Sequence, residues 1–216
     1  MRILLHACCG PCLLEPYDAL AAGGSVAVCF ANPNIAPADE YARRRDTLVE
    51  YAAKADIPVI EVPYEPTLWQ AAVAPHLDDR EARCRACYRL RLRMVAREAA
   101  HGGYDAVATT LSVSPYQDPD AIREVGEAVC AEAGVCFIAS DFRDRYPDAT
   151  RRSRALGMYR QSYCGCLPSA AEAEADRAAR MARRAAEREE RAGGRDSADR
   201  LPVREGTDRP HDGGTA

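Results

Sequence analysis

Seven of the ten cysteines in this chain lie in three short clusters, and cysteine sulfur can both ligate metals and carry electrons. The clusters are Cys8-Cys9-Gly10-Pro11-Cys12, Cys84-Arg85-Ala86-Cys87 and Cys164-Gly165-Cys166. No single cluster can hold an iron–sulfur centre alone, but together they offer more thiolates than one four-ligand site needs. The pattern therefore indicates a metal or iron–sulfur centre and a separate redox pair.

The first cluster follows a short apolar stretch. Cys8 and Cys9 can both ligate iron if the backbone turns sharply, which Gly10 permits. The alternative is that one of them is a ligand and the other packs in the core. Cys12 lies one helical turn further on. It can be a ligand, a reserve thiol or a small buried residue, and the sequence leaves these three roles open.

Cys84-x-x-Cys87 has the spacing of half a zinc or iron–sulfur site. A thioredoxin-type pair shares this spacing, but residues 78–83 before it form a charged stretch that we predict to be a loop. Nearby arginines can lower the pKa values of these thiols and so favour thiolates, or they can contact phosphate groups. They are Arg83, Arg85, Arg89 and Arg91. Cys164-Gly165-Cys166 can ligate a metal or close a strained disulfide that cycles two electrons.

The composition fits one globular domain that does not bind polyanions by bulk charge. The chain has 216 residues, 47% of them hydrophobic, and a formal net charge of -4. We predict no signal peptide and no membrane span, and hence a cytoplasmic location. In a reducing compartment, many cysteines favour metal binding or catalysis over structural disulfides.

Short apolar strands alternate with helical patterns along the chain, which predicts an α/β fold with a mostly parallel sheet and helices on both faces. The predicted strands are 2–7, 25–31, 58–62, 105–110 and 135–138, and the predicted helices are 12–22, 37–55, 65–75, 87–101, 119–133 and 148–156. Ligands of such sheets bind beyond the carboxyl ends of the strands. The first cysteine cluster and the loop 114–118 each follow a strand, so topology can bring them together.

The chain divides into three predicted regions: a catalytic domain over residues 1–167, an Ala/Arg/Glu-rich solvated helix over 168–192, and a disordered tail over 193–216. Within the domain, Asp118 either handles protons near the site or caps its own loop through an Asx-turn. Residues expected to pack in the core are His6, Cys29, Cys130 and Cys136.

Five motifs in register resemble the cobalamin-independent epoxyqueuosine reductases, over about residues 2–167. They are Leu4-Leu5-His6-Ala7-Cys8-Cys9-Gly10-Pro11-Cys12, Asn32-Pro33-Asn34-Ile35, Arg83-Cys84-x-x-Cys87-Tyr88-x-Leu90-Arg91-Leu92, Thr109-Thr110-Leu111-x-Val113-Ser114-Pro115-Tyr116-Gln117-Asp118, and Tyr159-Arg160-Gln161-x-Tyr163-Cys164-Gly165-Cys166.

The resemblance implies an oxidoreductase with a Rossmann-like (HUP-type) fold that reduces the epoxide of epoxyqueuosine in the tRNA anticodon, the last step of queuosine biosynthesis. It implies a [4Fe–4S] cluster with a further iron nearby, and an electron donor that the sequence does not identify. The implied cluster ligands are Cys8, Cys9, Cys84 and Cys87, and Cys164 and Cys166 are implied to be a redox-active disulfide pair.

A tRNA substrate needs aromatic side chains to stack on bases and basic side chains to meet phosphates. The candidate aromatic residues are Tyr88, Tyr116, Tyr159 and Tyr163. The candidate basic residues are Arg83, Arg85, Arg89, Arg91, Arg151, Arg152, Arg154 and Arg160.

Two other functions fit the residues. A metal-stapled RNA-binding module, with zinc or an iron–sulfur cluster, would use the same cysteines as ordinary ligands without redox catalysis. A sulfur-transfer or adenylating enzyme of the same fold class ranks third, because it needs a Gly-rich phosphate loop where this chain has Cys8-Cys9-Gly10-Pro11-Cys12.

Overall fold

The computed structural model describes residues 1–198. The chain forms a first compact unit, Met1–Ala171, and a second unit that begins at Glu172. The strands are β1 (Arg2–His6), β2 (Ser25–Phe30), β3 (Val59–Glu61), β4 (Ala106–Thr109) and β5 (Cys136–Phe137). The helices are α1 (Gly10–Ala21), α2 (Ala38–Lys54), α3 (Pro66–Val73), α4 (Arg80–His101), α5 (Pro119–Ala133), α6 (Tyr146–Ala155) and α7 (Leu167–Ala198).

The five strands form one parallel sheet in the order β3-β2-β1-β4-β5. The predicted α/β fold with a parallel sheet is confirmed. Because the chain crosses from β3 to β4 past β2 and β1, the strand order reverses between the neighbours β1 and β4. In open parallel sheets a crevice forms at such a point, beyond the carboxyl ends of the strands.

Alternate side chains of the buried strands face two separate apolar layers. Leu4 and Val107 pack with α4 and α5, whereas Leu5 and Ala108 pack with α1 and α2. Both faces of the sheet are therefore covered, which accounts for the near-continuous apolar runs of the strands.

Helix α4 begins seven residues before its predicted start at Cys87, and the prediction of a loop over 78–83 is wrong for residues 80–83. The Asp79 side chain accepts a hydrogen bond from the Ala82 amide at 3.1 Å and so caps the helix at its N-terminus. Cys84 and Cys87 consequently lie one turn apart on the same helix.

Helix α7 continues past Gly193 and Gly194, where the sequence predicted its end. The described side chains from residue 174 to residue 188 are exposed. Residues 193–198 of the predicted disordered tail lie in this helix, and residues 199–216 lie outside the described part. None of the helices in residues 1–198 has the length and apolar composition needed to cross a bilayer.

The glycine that ends α5 supports a test of the fold. Gly134 has a φ of 74°, so an alanine there is strained although its Cβ would meet no atom within 4 Å. Gly134→Ala should lower the free energy of unfolding of the metal-free protein by about 1–2 kcal/mol, measured by urea denaturation. Gly23→Ala is the matched control, because that Cβ has only ordinary contact and no positive φ applies; equal losses in the two variants would contradict the argument.

Candidate metal centre

The first cysteine cluster forms a compact group of sulfurs where β1 ends and α1 begins. The Sγ atoms of Cys8, Cys9 and Cys12 all lie within 4.8 Å of one another, and those of Cys8 and Cys9 are 3.9 Å apart. Pro11 occupies the first turn of α1, where its missing N–H costs nothing, and the helix then brings Cys12 back beside the pair. Three thiols are therefore available at this position.

The pKa values of these three thiols are shifted in different directions. Hydrogen bonds from Cys12 and Cys9 hold the pKa of Cys8 well below its usual value. Burial raises the pKa of Cys9 to about 12, and the hydrogen bonds to Cys8 and Cys9 raise that of Cys12. Hydrogen bonding within the group therefore favours the thiolate form at Cys8, and binding of a metal cation to such a group releases protons from its thiols.

The second and third clusters meet on the inner face of α4. Cys87 and Cys166 pack together with Trp69 and Val73 in one small apolar cluster. Cys84 lies near enough to Cys87 and Cys166 for their charges to interact, and burial raises its pKa to about 11. The two clusters, almost eighty residues apart in sequence, therefore occupy one place in the fold.

The third cluster also reaches the first. The Gln161 Nε2 atom donates to Cys9 Sγ at 2.9 Å and lies 3.8 Å from Cys12 Sγ. Cys164, whose pKa burial raises to about 12, lies within electrostatic range of Cys8 as well as Cys87. The structure thus brings all three cysteine clusters to the carboxyl edge of β1.

A buried arginine lies among these sulfurs. Arg91 is 1% exposed, and its Nη2 donates to Asn32 Oδ1 at 2.6 Å. Its Nε and Nη1 atoms make no hydrogen bond to nitrogen or oxygen within residues 1–198, and no carboxylate there forms an ion pair with it. The interpretation of Arg91 as a surface phosphate contact is wrong, because helical spacing puts it on the same face of α4 as Cys84 and Cys87.

The sulfurs take the place of the missing carboxylate. Burial lowers the pKa of Arg91, but the facing sulfurs of Cys87, Cys8 and Cys164 outweigh burial and the pKa lies above its usual value. The guanidinium in turn opposes the burial that raises the pKa of Cys87. One cation therefore faces a sulfur from each of the three clusters.

The segment that carries the third cluster is held by a buried ion pair within α2. Arg44 Nε donates to Glu40 Oε1 at 2.7 Å, and the same guanidinium donates from Nη1 to the Cys164 carbonyl at 2.8 Å and from Nη2 to the Tyr163 carbonyl at 3.2 Å. The Tyr159 hydroxyl donates to Glu40 Oε2 at 2.6 Å. Sequence reasoning missed this pair, although Glu40 and Arg44 interrupt the apolar side of α2 at the same spacing as Leu48 and Ala52.

The turn between Cys164 and Cys166 requires glycine. Gly165 has a φ of 147°, and a Cβ there would lie 2.8 Å from Asn34 Nδ2. Cys164 accepts a hydrogen bond from Gln117 Nε2 at 3.5 Å, whereas Cys166 packs against Cys87 and Trp69. All ten cysteines are free thiols. The expected disulfide between Cys164 and Cys166 is therefore wrong for this structure, because different partners hold the two side chains.

The remaining candidates are divided between structural and surface positions. Asp118 caps α5 by accepting from the amides of Asp120 and Ala121, both at 3.0 Å. His6 is buried and its Nδ1 shares a hydrogen bond with Thr109 Oγ1 at 2.9 Å. Cys29 and Cys130 are buried as expected, but Cys136 is exposed because β5 is a two-residue edge strand.

Of the arginines considered for phosphate contacts, several are exposed and tied into surface ion pairs. Arg85 pairs with Glu124, Arg89 with Glu132 and Arg151 with Asp148. Arg152 pairs with Glu15 and Asp18, and Arg160 hydrogen bonds to Ser153 and Thr150. Arg83 is buried and donates to the Leu77 carbonyl at 2.7 Å.

The donor set fits an iron–sulfur cluster. The gathered ligand atoms are thiols, which suit iron–sulfur centres and zinc. Trp69 and Arg91 carry buried N–H groups that have no hydrogen-bond partner within residues 1–198; Trp69 packs against Cys87, and the charge of Arg91 interacts with that of Cys87. N–H donors to cysteine sulfur are among the features that tune the reduction potential of such clusters.

Comparisons with known proteins identify one family. A family model described as "Epoxyqueuosine reductase QueH" matches residues 3–172. Proteins with the same description are 33% identical in Staphylococcus aureus, covering 77% of this chain and 74% of that one, and 34% identical in Thermotoga maritima, covering 79% and 91%. The relative in Dehalococcoides mccartyi is 34% identical, covering 78% and 92%.

Among solved structures, a predicted subunit of a tRNA methyltransferase from Methanocaldococcus jannaschii aligns with a TM-score of 0.48 at 11% identity, covering 71% of this chain and 76% of that chain. The family is shown by the sequence relatives and not by this structural similarity.

The buried ion pair of α2 supports a test of how the third cluster is held. Arg44→Met leaves Glu40 buried without its cation and removes two hydrogen bonds to the segment 163–164, so it should cost about 3–5 kcal/mol of unfolding free energy. It should also speed alkylation of Cys164 in the folded protein. Lys54→Met is the control, because its pair with Glu50 on the same helix is exposed and contributes little to stability. Similar effects of the two substitutions would refute the anchoring role.

Proposed function

The chain belongs to the QueH family of epoxyqueuosine reductases, and we propose that it reduces the epoxide of epoxyqueuosine at the wobble position of a tRNA anticodon to queuosine, the last step of queuosine biosynthesis. The observation that carries the proposal is the meeting of three distant cysteine clusters around the buried guanidinium of Arg91. The tRNA partner, the cytoplasmic location and an external electron donor of unidentified nature belong to the same proposal.

Charge balance supports an anionic sulfur centre at this place. A buried guanidinium without a counter-charge costs several kcal/mol. Arg91 has no carboxylate partner within residues 1–198, and the groups facing it are cysteine sulfurs. A [4Fe–4S] cluster held by four thiolates is an anion and satisfies this requirement.

We assign the cluster to Cys8, Cys9, Cys84 and Cys87, and the redox pair to Cys164 and Cys166. The two pairs of proposed ligands come from the end of β1 and from one face of α4. Cys12 lies within the first group of sulfurs, so it remains a further candidate ligand. We assign no ligands to the additional iron ion that the resemblance implies.

The reaction consumes two electrons and two protons, because the epoxide oxygen leaves as water. When bound, the cluster would supply one-electron transfer, and an additional iron that is not fully coordinated would supply a Lewis acid for the departing oxygen. The chain would contribute the rest: oxidation of the free Cys164 and Cys166 thiols to a disulfide yields two electrons and two protons, the numbers that the reduction needs. Gln117 positions the Cys164 sulfur and is itself held by the Tyr88 hydroxyl, which donates to its Oε1 at 2.7 Å.

A metal-stapled RNA-binding module without redox catalysis is the competing function. It would leave Cys164 and Cys166 as ordinary ligands, and the protein would be colourless when loaded with zinc. Family membership disfavours this alternative. Anaerobic reconstitution with iron and sulfide, followed by an assay on tRNA carrying epoxyqueuosine, tests the proposal, and a reconstituted protein that leaves the epoxide intact would overturn it.

The buried cation gives a prediction about the centre itself. Reduction adds a negative charge to an anionic cluster, so a nearby cation stabilises the reduced form. Arg91→Gln should therefore shift the midpoint potential of the reconstituted protein to more negative values and lower its iron content, whereas Arg91→Lys should restore part of both.

The control for that experiment is Arg89→Gln, two residues earlier on α4, where the side chain is half exposed and pairs with Glu132. Potential and iron content should match those of the wild type in this variant. An unchanged potential in an iron-replete Arg91→Gln protein would contradict the electrostatic role of Arg91.

Separating ligands from redox thiols requires a second variant. Cys164→Ser should keep the iron content but lose at least about tenfold in single-turnover reduction of the epoxide, because one of two electron-donating thiols is gone. Cys136→Ser, at an exposed cysteine on the edge strand, should leave both quantities unchanged. Loss of iron from Cys164→Ser would instead make Cys164 a metal ligand, and a wild-type rate would remove the thiol pair from the reaction.

A further inference from the structure

The four tyrosines of the motifs described above differ sharply in their surroundings. Tyr88 is buried, and its hydroxyl donates to Gln117. The Tyr159 hydroxyl donates to Glu40, and that of Tyr163 donates to the Ala36 carbonyl at 2.6 Å. Tyr116, in contrast, is 69% exposed. The first three therefore hold the protein together, and Tyr116 is the one of the four whose ring faces solvent.

Tyr116 lies at the rim of the sulfur site. Its loop joins the short helical turn Thr110–Val113, which follows β4, to the start of α5. The next residue, Gln117, reaches inward to the Cys164 sulfur, while the Tyr116 amide is held by Ser114 Oγ at 3.3 Å. Consecutive side chains of this loop thus point in different directions, one toward the proposed redox thiol and one away from the protein.

An exposed aromatic ring at the rim of the site can stack on a base when the substrate is part of an RNA loop. Unpaired bases of RNA loops splay outward and stack on aromatic side chains, and the π-face of any base serves. The ring of Tyr116 lies outside the buried site, so it can meet a nucleotide beside the reacting one but not the reacting carbon itself. Gln117, one residue on, is placed to face the reacting nucleoside.

We propose that Tyr116 is a specificity-determining residue that stacks on an unpaired base next to the modified nucleoside in the anticodon loop. This inference rests on the proposed function, because it takes RNA as the substrate. Tyr116 would then distinguish an RNA loop from the free nucleoside, without taking part in the chemistry.

The test compares a substrate in which the modified nucleoside has neighbouring nucleotides with one in which it has none. Binding and reduction are measured for an RNA anticodon stem-loop carrying epoxyqueuosine and for the free epoxyqueuosine nucleoside. Tyr116→Ala should weaken stem-loop binding by about 5- to 150-fold, the range for loss of one base–aromatic stack. The change should appear in KM and not in kcat. The variant should reduce the free nucleoside as efficiently as the wild type does.

Matched variants separate stacking from other causes. Tyr116→Phe and Tyr116→Trp should keep wild-type affinity, because either ring can stack. Leu156→Ala, at an apolar residue that is 54% exposed at the end of α6, controls for loss of surface area and should change nothing. Thermal unfolding of each variant shows that the fold is kept.

Three outcomes would overturn the inference. Stem-loop affinity of Tyr116→Ala within twofold of the wild type would do so, as would an equal loss for the free nucleoside, which would place the ring against the reacting nucleoside. Failure of the wild-type enzyme to reduce either substrate would overturn the proposed function together with the inference, so the two failures are distinguishable.

Discussion

A buried guanidinium that no carboxylate within residues 1–198 balances is the constraint on which the site depends. Arg91 can stay charged in the interior only beside anionic groups, and its charge interacts with cysteine sulfurs from three parts of the chain, of which Cys8 favours the thiolate form. The hydrogen bond to Asn32 fixes the guanidinium, and Asn32 in turn donates to the Ala7 carbonyl at 2.9 Å, directly before the first cysteine pair. The cation and the sulfurs therefore position one another.

The fold satisfies this constraint through one helix face and one sheet edge. Spacings of three, four and seven residues place Cys84, Cys87, Tyr88 and Arg91 on the same side of α4. The strand order reverses between β1 and β4, which is the position where parallel sheets form a crevice beyond the carboxyl ends of their strands. The third cluster arrives last along the chain and depends on the ion pair of Glu40 and Arg44 for its place. Each part of the site thus has a structural support of its own.

Particular residues show which structural features can be predicted from local sequence patterns. Apolar strands, their alternation with helices and the Asx-turn alternative for Asp118 are encoded within a few neighbouring residues, and these predictions are confirmed by the structure. The charged stretch before Cys84 looked like a loop, yet Asp79 caps it into helix. Arg91 looked like its exposed neighbours Arg85 and Arg89, since a single arginine in sequence carries no mark of burial.

The sequence by itself determined the chemistry that is available: the thiols, their spacing and the parallel sheet follow from residue types and from periods of two to four residues. Only the tertiary structure decided which sulfurs face the cation, which tyrosine stays at the surface, and that Cys164 and Cys166 have separate partners. These choices rest on contacts between residues more than a hundred positions apart, such as Gln161 with Cys9 and Arg44 with Cys164. Local periodicity contains no information about such contacts, because they exist only once the whole chain has folded.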